Sequence, residues 1–134
     1  MKINRILFLC TGNSARSQIA EGMLRKKGGS EFEVYSAGVE PKPVNPYAVK
    51  VMAEIGIDIS NQRSKDVSEV IKNSFDWVIT VCDNAKERCP IFPSARLMHW
   101  NIRDPETLTD FRHIRDELST RIDELIKTIE PVSR

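Results

Sequence analysis

The chain reads as an α/β protein with a parallel sheet covered by helices on both faces, and three observations predict it. Short strand-like runs recur along its length, segments of helical periodicity or loop separate them, and the first run is continuously apolar rather than alternating. A strand buried on both faces has that last property. The 134 residues suit a single domain over 1–134, large enough for a core without disulfide staples.

Strand signals fall at Arg5 to Leu9, Glu33 to Ser36, Trp77 to Val81 and Arg96 to Met98. After the first, Gln18 to Lys27 predicts a helix: Ile19, Ala20, Met23 and Leu24 recur at helical spacing, Arg25, Lys26 and Lys27 complement the last turn, and Gly28-Gly29 end it. Asn45-Pro46 opens a second helix, with Asn as cap and Pro at the first helical position. Val49, Val51, Met52 and Ile55 supply its apolar positions and Gly56 closes it. Val67 to Lys72 predicts a short helix. The strongest periodicity comes last, where Phe111, Ile114, Leu118, Ile122, Leu125, Ile126 and Ile129 form one stripe across Asp110 to Ile129.

Between the first strand and helix runs Cys10-Thr11-Gly12-Asn13-Ser14-Ala15-Arg16-Ser17. Amides at a helix N-terminus have no intrahelical partner and carry positive partial charge, so Thr11, Gly12, Asn13, Ser14, Ala15 and Arg16 are candidates to cradle a tetrahedral oxyanion. The Arg16 fork can grip two of its oxygens. The same field stabilises a thiolate, which makes Cys10 the candidate nucleophile, and Ser17 can donate a hydrogen bond to its sulfur. The loop lacks the lysine and glycine frame of a nucleotide P-loop.

Twenty basic residues against nineteen acidic leave a formal charge of +1, which gives no electrostatic case for nucleic acid or an anionic membrane. The apolar run Ile6 to Cys10 is too short for a signal peptide, and no stretch approaches transmembrane length. A cytoplasmic location is expected, where thiols stay reduced and three cysteines suggest chemistry rather than a framework. Ligands of open parallel sheets bind at the carboxyl ends of the strands, where Cys10, Cys82 and the loop from His99 to Pro105 all fall. Cys82 and Cys89 have neither zinc-knuckle nor Cys-x-x-Cys spacing, and alone could be two unrelated loop cysteines. Asp104 is a candidate general acid, or an ordinary turn residue before Pro105. His99 and His113 are given no catalytic role.

The segment Cys10 to Ser17, with Asp104-Pro105, resembles the active-site and acid loops of the low-molecular-weight protein tyrosine phosphatase superfamily. Within it, Cys82, Cys89, Ser36-Ala37-Gly38, Gly56-Ile57-Asp58-Ile59-Ser60 and His99-Trp100 are similar to the thioredoxin-coupled arsenate reductases. The likeness spans nearly the whole chain and implies a four-stranded parallel sheet in the order 2-1-3-4 within three layers. It implies arsenate, phosphate or sulfate in the anion loop, a relay in which Cys10 attacks arsenate and Cys82 and Cys89 carry away the disulfide, and thioredoxin as electron donor. No cofactor is called for, and no resident metal. Some reductases of this group hold a potassium ion through residues matching Asn13, Glu21, Ser36 and an aspartate, but Lys65 stands in the last position, where its ammonium could supply the charge. Ala15 replaces a further cysteine seen in many relatives. Phosphatases of this fold share Cys10, Arg16 and Asp104 but follow Asp-Pro with an aromatic. Here Glu106-Thr107 follows, which tilts toward a small inorganic substrate. The alternatives are such a phosphatase and, from another class, a thiol redox sensor or a zinc protein using the cysteines with His99.

Overall fold

The computed structural model describes residues 3–81 and 92–129. Strands β1 (Asn4–Cys10), β2 (Phe32–Gly38), β3 (Trp77–Thr80) and β4 (Arg96–His99) form one sheet in the order β2-β1-β3-β4, with every pairing parallel. This is the expected order. β1 lies inside the sheet, and Ile6 to Leu9 have no exposed surface, which accounts for the unbroken apolar run.

The α-helices among the described residues are α1 (Arg16–Gly28), α2 (Pro46–Ala53) and α3 (Leu108–Ile129). α1 packs against β1, β2 and α3, and α2 against α1 and α3. Lys27 ties α1 to α3 through Ser119 Oγ at 2.7 Å and Asp123 Oδ1 at 2.8 Å. Ile6, Phe8 and Ser36 share one face of the sheet, and Ser36 meets Glu21 of α1 there. On the other face Tyr35 packs edge-on against Phe75, and Phe75 against Phe92. The buried stripe of α3 is Phe111, Ile114, Leu118, Ile122 and Leu125, with Ile126 and Ile129 half-buried beside it. Among the described residues no helix is long and apolar enough to cross a membrane.

The helix ends follow local chemistry. Asn45 Oδ1 accepts from Tyr47 N at 2.8 Å with Pro46 in the first turn, and Gly29 ends α1 at a φ of 64°. Two expectations need correction. Ile55 is 44% exposed: α2 stops at Ala53 and the chain reverses through Gly56 at a φ of 79°, so helical spacing no longer applies at Ile55. Val67 to Lys72 is a 3-10 turn over Val67–Glu69, opened by Asp66 accepting from Ser68 N. Val70 N reaches Val67 O and Asn73 N reaches Val70 O, so the three-residue pattern never widens to an α-helix. Val67, Val70 and Ile71 are β-branched and do little to favour one.

Glu54, just past α2, is clamped by Arg112 at 2.8 Å and Arg115 at 2.9 Å from α3. Arg112's hydrogen bonds, with Arg115 adding to them, pull its carboxyl from an ordinary 4.5 down to about 2. A carboxylate depressed in the folded state contributes its full stability above the unfolded value and loses it as pH falls toward the folded one. Wild type is therefore expected to show a higher urea midpoint than Glu54→Gln at neutral pH, the two converging as pH falls from 4.5 toward 2. A gap that stays constant across that window would assign the difference to packing.

Candidate active site

The loop joining β1 to α1 has its backbone orientation set from outside. Thr11 O accepts from Glu40 N at 2.8 Å, Gly12 O from Lys42 N at 2.8 Å and Ser64 Oγ at 3.2 Å, and Asn13 O from Gln18 Nε2 at 3.0 Å. Ser14 O accepts from Asn45 N at 2.8 Å, and Ala15 O from Ile19 N at 2.9 Å. In a trans peptide the N–H points opposite to the preceding C=O, so carbonyls drawn outward turn the amides of Gly12 through Arg16 inward. Asn13 marks the inner side: its N–H donates to Cys10 Sγ at 3.1 Å. The result is a concave nest of donors above a buried sulfur.

Asn13 has a φ of 47°, a left-handed conformation that costs a non-glycine residue about 1 kcal/mol. Its side chain offsets that cost. Asn13 Oδ1 accepts from Lys65 N at 2.9 Å, which orients the amide so that Nδ2 donates to Ser17 Oγ at 2.8 Å and Ser36 Oγ at 2.9 Å. Directions then propagate through the network. Ser17 Oγ accepts a hydrogen bond from Asn13 Nδ2, so its own hydroxyl is free to donate to Cys10 Sγ, 2.8 Å away. Ser36 Oγ likewise receives from Asn13 and donates to Glu21 Oε1 at 2.5 Å, while Glu21 Oε2 pairs with Arg25 Nη2 at 2.7 Å. Asn13, Ser17 and Ser36 have no exposed surface, and each polar atom just named has a partner, as burial requires.

Gly38 faces Cys10 in the β1–β2 register. A Cβ there would lie 2.8 Å from both Asn13 N and Thr11 O. These are backbone atoms of the nest itself, so the position has room for glycine alone. Arg16, at the start of α1, donates from Nη1 to Ile102 O at 3.0 Å, and its Nη2 lies 3.5 Å from Asp104 Oδ1. Its side chain is 14% exposed against 80% for Asp104, so the carboxylate stands at the open mouth of the pocket.

Cys10, Thr11 to Ala15, Arg16, Ser17 and Asp104 thus meet at the carboxyl edge of the sheet. Cys82 and Cys89 lie outside the described residues. Val81 N donates to Leu9 O at 2.8 Å, which brings the residue before Cys82 beside the residue before Cys10. His99 Nδ1 lies 2.6 Å from Thr80 Oγ1, a bond between two strand ends. Sequence reasoning missed the outer layer of Gln18, Gln62 and Ser64, and at Lys65 it named the ammonium but not the backbone N–H that holds Asn13 Oδ1. Gln18 Nε2 bonds Asn13 O and Arg63 O, and Gln62 Nε2 holds Gln18 Oε1 at 2.8 Å. Nothing local marks these residues, although a Gly at the end of β2 beside the loop was a usable signal for close approach.

A thiol beneath inward amides and an arginine, at the carboxyl edge of a parallel sheet, is an arrangement chemically suited to hold a tetrahedral oxyanion over a sulfur. Residues 5–133 match the low molecular weight phosphotyrosine protein phosphatase family, and the chain belongs to it. It is similar to an arsenate reductase of Oceanobacillus iheyensis, at 45% identity over 134 residues, 93% of this chain and 96% of that protein. It is similar in structure to an arsenate reductase solved in the phosphate-binding state, with a TM-score of 0.88 and 33% identity, covering 96% of this chain and 100% of that one. A thioredoxin-dependent arsenate reductase of Corynebacterium glutamicum aligns with a TM-score of 0.84 and 30% identity, over 99% of this chain and 64% of that one.

The residues matching a potassium site do not fit that ion here. Asn13 Oδ1 is taken by Lys65 N, the Ser36 hydroxyl proton goes to Glu21, and Lys65 Nζ donates to Ser36 O at 2.9 Å and Arg63 O at 3.0 Å. A second cation would meet a fixed ammonium.

Gly38→Ala is expected to destabilise the protein by about 2 kcal/mol, as overpacking against immobile backbone does, and to weaken phosphate binding. Urea unfolding and calorimetric titration with phosphate measure the two effects. An unchanged midpoint with unchanged affinity would mean that the nest tolerates displacement.

Proposed function

We propose that this protein reduces arsenate to arsenite by a three-cysteine relay recycled by thioredoxin, in arsenic detoxification in the cytoplasm. The observation that carries the reading is the convergence of Asn13 N–H and Ser17 Oγ on Cys10 Sγ beneath the ring of amides. Two donors on one sulfur favour its anionic form, and the amides above it suit a tetrahedral oxyanion. The arsenate reductases that the chain resembles, and its two further cysteines, favour reduction over ester hydrolysis.

Arsenate binds with its oxygens on the amides of Gly12 to Arg16 and on the Arg16 side chain. Cys10 thiolate attacks arsenic, and a hydroxide leaves as water with a proton from Asp104, giving a thiol–arsenate adduct still at arsenic(V). Cys82 thiolate then attacks Cys10 Sγ. The electron pair of the broken S–As bond stays with arsenic, which departs as arsenite, and a Cys10–Cys82 disulfide forms. Cys89 thiolate attacks Cys82 Sγ and releases Cys10 as thiolate. The dithiol of thioredoxin reduces the Cys82–Cys89 disulfide and supplies the two electrons of the cycle. The loop serves phosphate esters equally, so a side phosphatase activity toward aryl phosphates accompanies the main one.

Cys10→Ser is expected to lower both activities by roughly 10⁴-fold or more, since a serine hydroxyl stays un-ionised in this pocket. Arg16→Lys should lose about 10²-fold or more, for want of the planar two-point grip. Cys82→Ser and Cys89→Ser should abolish arsenate-dependent NADPH oxidation with thioredoxin and its reductase while aryl phosphate hydrolysis persists. Native arsenate turnover in both of those variants would defeat the relay and leave the phosphatase reading in its place.

A further inference from the structure

We infer that Lys65 is a positioning residue for the Cys10 sulfur: its ammonium is the resident cation of the polar network beneath the loop. The inference rests on the reading of Cys10 as the nucleophile.

Lys65 touches that network with three separate groups. Its N–H donates to Asn13 Oδ1 at 2.9 Å, its carbonyl accepts from Gly38 N at 2.9 Å, and its Nζ donates to Ser36 O at 2.9 Å and Arg63 O at 3.0 Å. The first contact orients the Asn13 amide, and the second anchors the glycine that gives the nest its room. The third crosses from the segment before the 3-10 turn to the end of β2. From Ser36 the chain of bonds runs through Asn13 to Ser17 and then to Cys10 Sγ.

The charges around the ammonium come from two sides. Glu21 and Arg25 face it from α1, and Arg63 and Glu69 from its own segment. Burial pushes the ammonium's pKa down, and the Glu21 carboxylate opposes that most strongly. Glu21 is 3% exposed. Its carboxylate is paired directly with Arg25 at 2.7 Å, and the half-buried ammonium, held by two carbonyls, adds a second positive charge to the same network without leaving or exchanging. Between the ammonium and the sulfur lie the buried groups of Ser36, Asn13 and Ser17, and a charge acting across such an interior is weakly screened.

The test reads the sulfur itself and needs no substrate. In a Cys82→Ser/Cys89→Ser background Cys10 is the remaining thiol, and its rate of alkylation by iodoacetamide against pH reports the ionisation midpoint. Lys65→Gln keeps a donor for the Ser36 carbonyl but has no charge. It should raise the midpoint by about one unit, roughly a tenfold slower alkylation below it. Lys65→Arg should stay near the native midpoint, and n-butylammonium should draw Lys65→Ala back toward it. Exchanging sodium for potassium chloride at equal ionic strength should leave the unsubstituted Lys65 protein unmoved. A folded Lys65→Gln protein with the native midpoint overturns the inference, as does a Lys65→Arg midpoint raised well above native, or a midpoint that shifts with potassium. Absence of arsenate turnover in the protein that keeps all three cysteines, alongside the expected shifts in the double-serine background, would count against the proposed function and leave the role of Lys65 standing.

Discussion

The site depends on one constraint, that the carbonyls of residues 11–15 are all committed elsewhere. A peptide unit is planar and trans, so a loop cannot present its amides to an anion unless the opposite oxygens are satisfied on its outer side. Here the partners come from β2's exit at Glu40 and Lys42, from the helix cap Asn45, from Ser64 and from the first turns of α1. Loss of any one would let a peptide flip and put an oxygen where a donor belongs. The anion nest is therefore a property of the whole carboxyl edge of the sheet rather than of eight consecutive residues.

The polar layer beneath the loop follows from that demand. Asn13 combines an N–H aimed at the sulfur with a left-handed conformation that turns its side chain into the interior, where the side-chain amide is held on both sides. Ser17, Ser36 and Glu21 are buried as a consequence. A half-satisfied network of this kind would cost more than an apolar core, whereas a complete one confers a unique geometry. Glu21 on α1, Ser36 on β2 and Lys65 on the following segment thus tie three elements to one cysteine.

Features with a local cause were legible in the sequence. The unbroken run Ile6 to Leu9, the Asn45-Pro46 cap and the stripe on α3 each reflect a physical demand met within a few neighbouring residues. So does the string Cys10 to Ser17, whose hydrogen bond between Cys10 and Ser17 spans only seven positions. Apolar spacing failed where a tighter turn took over, at Ile55 and along Val67 to Lys72. What stayed hidden has no local cause. Ser64 reaches Gly12 across 52 positions, and a serine in a polar stretch carries no mark of such a partner; at Lys65 the resemblance marked the charge, but nothing marked the backbone bond to Asn13, also 52 positions away.

Arg16 shows how a site can be rigid and still ready to accept a ligand. Its guanidinium is held by Ile102 O at 3.0 Å and stands 3.5 Å from Asp104. The carbonyl bond fixes the plane of the fork, so the orientation needed to grip two oxygens of an anion is set before the anion arrives. The contact with Asp104 is of another kind. A carboxylate that is 80% exposed remains well hydrated, and an ion pair with it contributes little, of order 1 kcal/mol or less. An oxyanion seated among the amides offers the same guanidinium a charged partner in a drier place, where two-point hydrogen bonding is stronger. In the proposed reaction the guanidinium thus exchanges one partner for the other without moving the backbone, which leaves Asp104 at the mouth of the pocket, beside the oxygens of the ligand rather than bound to its receptor.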